Sequence, residues 1–349
     1  MHRRLGLVAA AVAALPVVGS AQVLTKETFE DGNASSRWFA VGTEATVDPA
    51  VGPIDYTVEW NADPTAQLYT PVGGSQTSIP LLANSGTRAV KMTVNNNNPP
   101  LQVIAQIMPT SVSVSGDFRF SLDMFANFTG GVGTTEFMTF GLNYAGAGVT
   151  GVTLPGPTGV TPNPNLRSDG YLFGTTTEGG AAGDYRVYSS EPNDDGPRFQ
   201  KRNAAWTGTS PHKPYNAAGE VTGNSPVLPE ELFIGNRYYV EEAFSAAKGF
   251  QVPGAPSKQW VNVVVEQRGR IVNWSIDGNI LISLFTTAPR TGKPTFGAWD
   301  AFNSVAGVPE EQYYLFDNVT IEALGTATPN AITADSYAAF NTSTTANGV

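Results

Sequence analysis

Cysteine is absent from this chain of 349 residues, and histidine occurs only at His2 and His212. The absence of cysteine excludes disulfide bonds, thiolate metal sites and cysteine nucleophiles. Histidine is too scarce for a zinc site built on imidazole ligands. No G-x-S-x-G motif accompanies His212, so the sequence gives no support to a serine hydrolase.

Charged residues are also few, at 14% of the chain, and acidic residues outnumber basic ones by 30 to 20. The formal net charge is -10 and the isoelectric point is about 4.7. A chain this acidic repels phosphate groups, which drive most binding to nucleic acids and to anionic lipids. We therefore expect no nucleic-acid partner.

Long apolar runs are missing outside the first 22 residues. That segment has a basic start (MHRR), a short apolar run (LGLVAAAVAALPVVG) and small residues after it, which is typical of a cleaved export signal. We predict a signal peptide over residues 1–22, with cleavage near Ala21 or Gln22. The mature chain is then expected to lack a transmembrane segment and to be exported, whether periplasmic, attached to the cell surface or secreted.

What the chain does contain is the composition of a β protein, with 37 Gly, 25 Pro and 41% hydrophobic residues. Three stretches alternate between apolar and polar residues, at 88–96, 117–128 and 136–144. In the second, Phe118, Phe120, Leu122 and Met124 fall on one face, which is the pattern of a half-buried antiparallel strand. Residues 258–285 add three strands joined by tight turns at Gly269 and at Asp277–Gly278.

Two stretches rich in Gly, Pro and Thr, at 145–170 and 189–226, are predicted to be long loops inserted into one domain. We assign residues 23–324 to that domain. The tail at 325–349 is small, polar and almost uncharged, and we expect it to be disordered.

Three short stretches resemble the concanavalin A-like, laminin-G-like jelly-roll domains of exported bacterial proteins. They are W-x-N-V-V-V-E-x-x-G-x-I-V-x-W-x-I-D-G from Trp260, TFEDGNASSRW from Thr28, and the closing YYLFDNVTIEAL from Tyr313. The resemblance implies an all-β fold, a two-sheet antiparallel jelly-roll sandwich in which the first strand pairs with the last. Such domains commonly bind carbohydrate and are sometimes enzymes, so the fold alone does not decide the function.

A polysaccharide-active enzyme, either a glycosidase or a lyase, is the third of three functions we consider. The glycosidases of this fold usually carry E-x-D-x-x-E or E-x-D-x-E on one strand, and neither pattern occurs here. The acidic pairs at 230–231, 241–242 and 310–311 are adjacent residues, which face opposite ways on a strand and cannot act together there.

The sequence also contains a candidate calcium site, at the place where the first strand is expected to meet the last. Glu30, Asp31 and Asp317 would supply carboxylate oxygens, which calcium prefers. In the alternative, Asp31 and Gly32 form a turn and Asp317 bonds a backbone amide, without any metal.

Aromatic side chains in or beside loop-like stretches form a further candidate site, because their faces stack on sugar rings. These residues are Trp206, Trp299, Tyr185, Tyr188 and Tyr215. Trp260 and Trp274, on the strongest strands, are instead predicted to be core residues. The leading hypothesis is non-catalytic binding of a glycan or cell-surface polysaccharide, and the alternative is a structural or adhesive surface protein without a small ligand.

Overall fold

The computed structural model describes residues 21–44, 56–82, 85–94, 103–128, 136–144, 152–153, 167–176, 185–189, 215–216, 243–286, 288–300 and 308–325. The first 20 residues of the predicted signal peptide, and the predicted tail from residue 326 onward, lie outside these ranges. Within the described part of the chain, no helix is long and apolar enough to cross a membrane.

Twenty strands make up nearly all of the described structure. In chain order they are β1 (Gln22–Glu27), β2 (Trp38–Glu44), β3 (Tyr56–Ala62), β4 (Leu68–Tyr69), β5 (Thr77–Ser78), β6 (Ala89–Val94), β7 (Val103–Pro109), β8 (Val114–Ser115), β9 (Phe118–Asn127), β10 (Glu136–Asn143), β11 (Val152–Thr153), β12 (Arg167–Ser168), β13 (Tyr171–Thr175), β14 (Tyr185–Ser189), β15 (Tyr215–Asn216), β16 (Trp260–Arg268), β17 (Ile271–Ile276), β18 (Asn279–Phe285), β19 (Thr291–Asp300) and β20 (Tyr313–Ala323). Helical turns are short: α1 (Ala34–Arg37) and 3₁₀ turns at Pro64–Ala66, Ala246–Lys248 and Pro309–Glu311.

The strands form two large antiparallel sheets, as the jelly-roll prediction requires. Sheet I has the order β18-β17-β16-β9-β20-β6-β3, and β1 also pairs with β20. Sheet II has the order β15-β14-β13-β10-β19-β7-β2, and β8 also pairs with β19. The protein is therefore a two-sheet antiparallel jelly-roll sandwich, and the predicted three-stranded meander is β16, β17 and β18.

The core lies between the inner faces of the two sheets. On β9, Phe118, Phe120, Leu122 and Met124 are all buried, which confirms the face predicted from their alternation. Trp274 of β17 belongs to the same cluster and is fully buried, with its ring stacked on Phe173 and Phe140. Burial of so many large side chains supplies the main driving force for the sandwich.

The first and last strands pair, as the resemblance predicts. Glu27 of β1 lies opposite Val319 of β20, and the pairing runs antiparallel to Gln22 and Ala323. The preceding part of β20 pairs instead with β6, where Phe316 lies opposite Val90. Between these two partners β20 has an irregularity, at Asp317 to Thr320, where Asn318 has a positive φ of 50°. β6 and β1 thus share one edge of β20. We call the region where they meet the seam, and it comprises the end of β1 with the turn that follows it (27–37) and residue 317 of β20.

A small second core covers part of the outer face of sheet I. The β4–β5 hairpin packs there against apolar residues of β9 and β20, and Tyr69 meets Phe125 edge to face at 5.2 Å. Trp260 packs at the border of this cluster, and its indole N–H donates to the carbonyl of Pro80 at 2.8 Å. The rest of the outer face of sheet I is largely polar.

Within the two stretches predicted to be loops, the structure describes the short strands β11, β12 and β15 and a few neighbouring residues. Most of both stretches lies outside the described residues.

Candidate functional site

The open half of the outer face of sheet I forms a shallow groove with a volume of about 460 Å³. Five adjacent strands contribute side chains to it. On each strand every second residue faces outward, while the residues between them point into the core. We call this the polar groove, and it is lined by Arg119, Ser121, Asn262, Val264, Glu266, Asn273, Ser275, Ile280 and Glu322.

Ion pairs hold the charged end of the polar groove. Arg119 donates to Glu266 at 2.7 Å and lies 3.7 Å from Glu322, so one guanidinium bridges β16 and β20. Arg268 makes a second contact with Glu266, at 3.0 Å. Although burial acts to raise it, hydrogen bonds from Arg268 and Arg119 hold the pKa of Glu266 below its usual value. The glutamate is therefore ionised and fixed at neutral pH.

The backbones of Glu266 and Glu322 lie two strands apart, which is about 9–10 Å at the usual strand spacing, and both carboxylates contact Arg119. An inverting glycosidase also uses two carboxyl groups, roughly 6.5–9.5 Å apart across a sugar. Such an enzyme needs one carboxyl with a raised pKa to donate a proton, whereas the arginines lower the pKa of Glu266. Glu266 is thus held ionised and is unsuited to the role of the general acid.

A cluster of carboxylates lies between the polar groove and the small second core. Asp123 of β9 and Asp317 of β20 are directly opposite each other in the register. Two amides hold Asp123: Asn318 donates to one oxygen at 2.8 Å, and Asn262 donates to the other at 2.9 Å. Asn262 is also a lining residue of the groove, so the cluster and the groove share a side chain.

Asp317 is the most perturbed member of this cluster. Its side chain is only 3% exposed, and it accepts hydrogen bonds from the Ser85 hydroxyl and the Asn318 backbone amide. Burial, assisted by the nearby charges of Asp123 and Glu30, raises the pKa of Asp317 to about 6, against the opposing effect of those hydrogen bonds. This carboxyl therefore titrates just below neutral pH.

Asp277 extends the cluster to the turn between β17 and β18. It accepts from the backbone amide of Asn262 at 2.7 Å and donates its own backbone amide to the carbonyl of Asn262 at 2.8 Å. Burial and the charge of Asp123 raise the pKa of Asp277, although the amide of Asn262 opposes them.

The residues predicted for calcium are near the seam, but protein donors already contact each of them. Asp31 accepts two hydrogen bonds from Arg37, at 2.8 and 2.9 Å, and one from the backbone amide of Asn33 at 2.9 Å. Glu30 accepts from the backbone amide of Arg88 at 2.7 Å. Among the residues that the structure describes, no group of three or more acidic or imidazole side chains is placed to hold a metal ion. Calcium binding stays a hypothesis, and these contacts favour the alternative in which the carboxylates bond protein donors without a metal.

Glu27 is a seam residue that the sequence did not single out. It is only 4% exposed and accepts hydrogen bonds from Arg37, from the Trp38 indole at 3.1 Å and from the Phe29 backbone amide at 2.8 Å. Arg37 therefore bridges Glu27 and Asp31 across the turn at Gly32. The signal in the sequence was a glutamate at the end of the first strand, ten residues before an arginine and eleven before a tryptophan.

The predicted sugar-binding aromatics are not brought together on an exposed surface by the described residues. Tyr185 lies in β14 and Trp299 in β19, and both rings are buried. The Tyr185 hydroxyl donates to the carbonyl of Gly254, and Trp299 stacks on Phe137 at 5.3 Å. Both residues therefore lie in strands rather than in loops, with their rings turned away from solvent. Tyr188 and Tyr215 lie in the paired strands β14 and β15, and Trp206 lies outside the described residues.

The outer face of sheet II carries no carboxylate on the described residues of β7, β10, β13 and β19. Because Met138, Phe140 and Leu142 of β10 point into the core, the residues between them face outward, and they are Phe137, Thr139 and Gly141. None of these can act as an acid or a base. Among the described residues of these four strands, the outer face therefore offers no pair of carboxylates for glycoside hydrolysis.

No family model matches the chain, and no curated protein matches it. Solved structures do resemble it. A Bacillus subtilis protein of unknown function with a galectin-like fold has 11% identity and a TM-score of 0.35, over 87% of this chain and 96% of that one. The carbohydrate-binding module CBM66 from Bacillus subtilis has 12% identity and a TM-score of 0.30, over 65% and 89%. A Bacillus licheniformis beta-glucanase has 11% identity and a TM-score of 0.36, over 87% and 98%. Likeness at this level does not decide between binding and catalysis.

Proposed function

We propose that this protein binds glycans without cleaving them, and that the polar groove is the binding site. The observation that carries the proposal is a groove on the open half of sheet I, lined by hydrogen-bonding side chains from neighbouring strands. Sugar hydroxyls both donate and accept hydrogen bonds, and fixed amide, hydroxyl, guanidinium and carboxylate groups match them. Val264 and Ile280 add apolar contact for the C–H faces of a sugar ring.

The charge of the polar groove favours neutral sugars over acidic ones. Its lining carries Arg119 against Glu266 and Glu322, and the arginine is already paired with both. An acidic sugar would have to displace one of these carboxylates and would meet the other at short range. We therefore expect neutral oligosaccharides to bind in preference to uronic-acid polymers.

Export would bring such a binding protein to its ligand. We infer from the leader that residues 1–22 are removed and that the mature chain acts outside the cytoplasm, where polysaccharides are abundant. Mass spectrometry of protein recovered from the producing cells tests this directly. A mature mass that includes the leader would contradict the inference.

A glycan array tests the binding proposal, with Asn273→Ala as the groove variant. Asn273 lies in the groove, and Ser283 donates to its side chain at 2.6 Å. Thr57→Ala is the matched control, because Thr57 is hydrogen-bonded to Thr93 at the opposite end of the same sheet. We expect the groove variant to lose several-fold in affinity and the control to bind as wild type. Equal loss in both variants, or cleavage of a bound glycan, would contradict the proposal. An empty array together with self-association would favour the adhesive alternative.

A further inference from the structure

We propose that Lys258 and Asn127 form an intramolecular amide bond, in which the side-chain nitrogen of the lysine replaces the amide nitrogen of the asparagine. The two side chains meet in the interior of the protein, where the Lys258 ammonium donates to the Asn127 Oδ1 at 3.4 Å. A chain without cysteine has no disulfide bonds, and this bond gives it a different covalent cross-link. The proposal does not depend on glycan binding.

The pair is shielded from water. Lys258 is 5% exposed and Asn127 is fully buried. The ammonium also donates to the carbonyl of Thr70 at 2.8 Å and lies 5.0 Å from the centre of the Phe128 ring. No described carboxylate forms an ion pair with it, and burial lowers the pKa of Lys258 against the smaller, opposing effect of Glu311. Burial therefore favours the neutral amine, which is the form that attacks a carbonyl carbon.

Both partners are held in place by the backbone of sheet I. Asn127 is the last residue of β9, and the Lys258 backbone amide donates to the carbonyl of the preceding residue, Ala126, at 2.8 Å. Lys258 has a φ of 58°, in the left-handed region that lysine seldom adopts, and the Gln251 side chain donates to its carbonyl at 3.0 Å. Strained backbone of this kind persists only where the surrounding structure enforces it. Reacting groups that are positioned in advance need little further ordering.

The amide of Asn127 is a suitable acyl donor. Within the described part of the chain its nitrogen is buried and makes no hydrogen bond of ordinary geometry. In the proposed step the lysine nitrogen bonds to the Asn127 Cγ, the bond from Cγ to the amide nitrogen breaks, and that nitrogen leaves as ammonia. One proton passes from the lysine nitrogen to the leaving nitrogen, so no oxidant or other co-reactant is needed. The product replaces a buried amine and an unpaired amide nitrogen by one neutral amide, which costs less to bury.

Glu311 is the carboxylate placed to carry that proton. It accepts from the Thr70 hydroxyl at 3.2 Å, and the carbonyl of Thr70 accepts from Lys258. The carboxylate and the amine thus contact the same residue, and the charge of Glu311 acts on Lys258. Proton transfer by a positioned carboxylate is ordinary general acid–base catalysis.

A second contact between a lysine and a side-chain amide provides an internal control. Lys91 donates to the Gln67 Oε1 at 2.6 Å, but both of these residues are partly open to water. Water solvates the amine and the amide there and competes with their contact. We therefore expect no bond between Lys91 and Gln67.

Tryptic digestion of the denatured full chain, followed by tandem mass spectrometry, tests the proposal. Trypsin cleaves after a free lysine, so the bond should block cleavage after Lys258 and join the peptide 120–167 to the peptide 249–268. The joined peptides should be lighter than their sum by one ammonia, about 17 Da. In Lys258→Met and in Glu311→Gln the peptide 120–167 should be found alone, and cleavage after Lys91 should be complete in every sample.

The digest of the wild type decides the question even if Lys258→Met fails to fold. Complete cleavage after Lys258, with peptide 120–167 at its unmodified mass, would overturn the proposal. A bond that forms equally in Glu311→Gln would overturn the role given to that glutamate. Because the digest needs no ligand, its result stands apart from the glycan array.

Discussion

Replacing Asp317 with Asn should make the protein more stable at neutral pH and change little in acid. The pKa of Asp317 is raised from 3.8 to about 6 in the folded state, chiefly by burial. An acid that is harder to ionise when folded destabilises the fold wherever it is charged. This destabilisation is absent below about pH 4, grows between pH 4 and 6, and is complete above pH 6. Asparagine cannot ionise and avoids it.

The size of the effect follows from the shift in pKa. A shift of one unit corresponds to about 1.4 kcal/mol, so about two units give an upper value of roughly 3 kcal/mol. Relaxation of the neighbouring carboxylates lowers this figure, and we expect a gain of about 2 kcal/mol at pH 7.5. In a domain of this size such a gain raises the Tm by several degrees. Asparagine can keep both contacts, accepting from the Asn318 amide and donating to the Ser85 hydroxyl.

Urea unfolding of wild type and Asp317→Asn at pH 4 and pH 7.5 measures the effect, and Asp31→Asn is a control of opposite sign. Hydrogen bonds from Arg37 and from the Asn33 amide lower the pKa of Asp31 to about 2, so its charge stabilises the fold at neutral pH, and Asp31→Asn should be less stable there. If Asp317→Asn is no more stable than wild type at pH 7.5, or if its gain is the same at pH 4, the reasoning is refuted.

Two further predictions concern the seam. Glu27→Gln should lower the free energy of unfolding by about 2 kcal/mol, because it removes the charge that pairs with Arg37 beside the Trp38 indole. Urea unfolding measures this loss. A variant as stable as wild type would show that the contacts of Glu27 with Arg37 and Trp38 do not stabilise the fold. Thermal melting with calcium and then with a chelator should give the same Tm, because Glu30, Asp31 and Asp317 already accept from protein donors. A Tm that rises with calcium and falls with chelator would instead show that a cation occupies the seam.

The strands of sheet I could be predicted because one of their faces is largely polar. On β9 and β16 the apolar and polar residues alternate, and the burial alternates with them. The Asp-Gly pair at Asp277–Gly278 equally predicted a tight turn. The structure confirms it, with positive φ angles of 48° and 75° at the two residues. Pairing of the first strand with the last came from the resemblance, because no local pattern joins Glu27 to Val319.

Sheet II was harder to predict because its central strands are buried on both faces. All eight residues of β10 are buried, and so are the last seven of β19. Where both faces are covered, a strand no longer alternates between apolar and polar residues. Trp299, beside glycine and aspartate, therefore resembled a loop aromatic. Tyr185 could have been recognised, since Tyr185 and Val187 alternate with Arg186 and Tyr188.

The carboxylate cluster could not be predicted, because it depends on which residues of neighbouring strands lie opposite each other and on how deeply they are buried. Composition and local pattern show neither. The alternation of β9 correctly sends Asp123 outward, and outward ordinarily means into water. Asp123 becomes part of a cluster only because Asp317, on a strand distant in sequence, stands opposite it. Asp317 becomes hard to ionise because it is buried at that position, beside the charges of Asp123 and Glu30. The outer face of sheet I thus passes from the open groove, through the carboxylates of Asp123 and Asp317, to the small apolar core. At the junction, Asn262 is exposed in the groove while its side-chain amide donates to the half-buried Asp123.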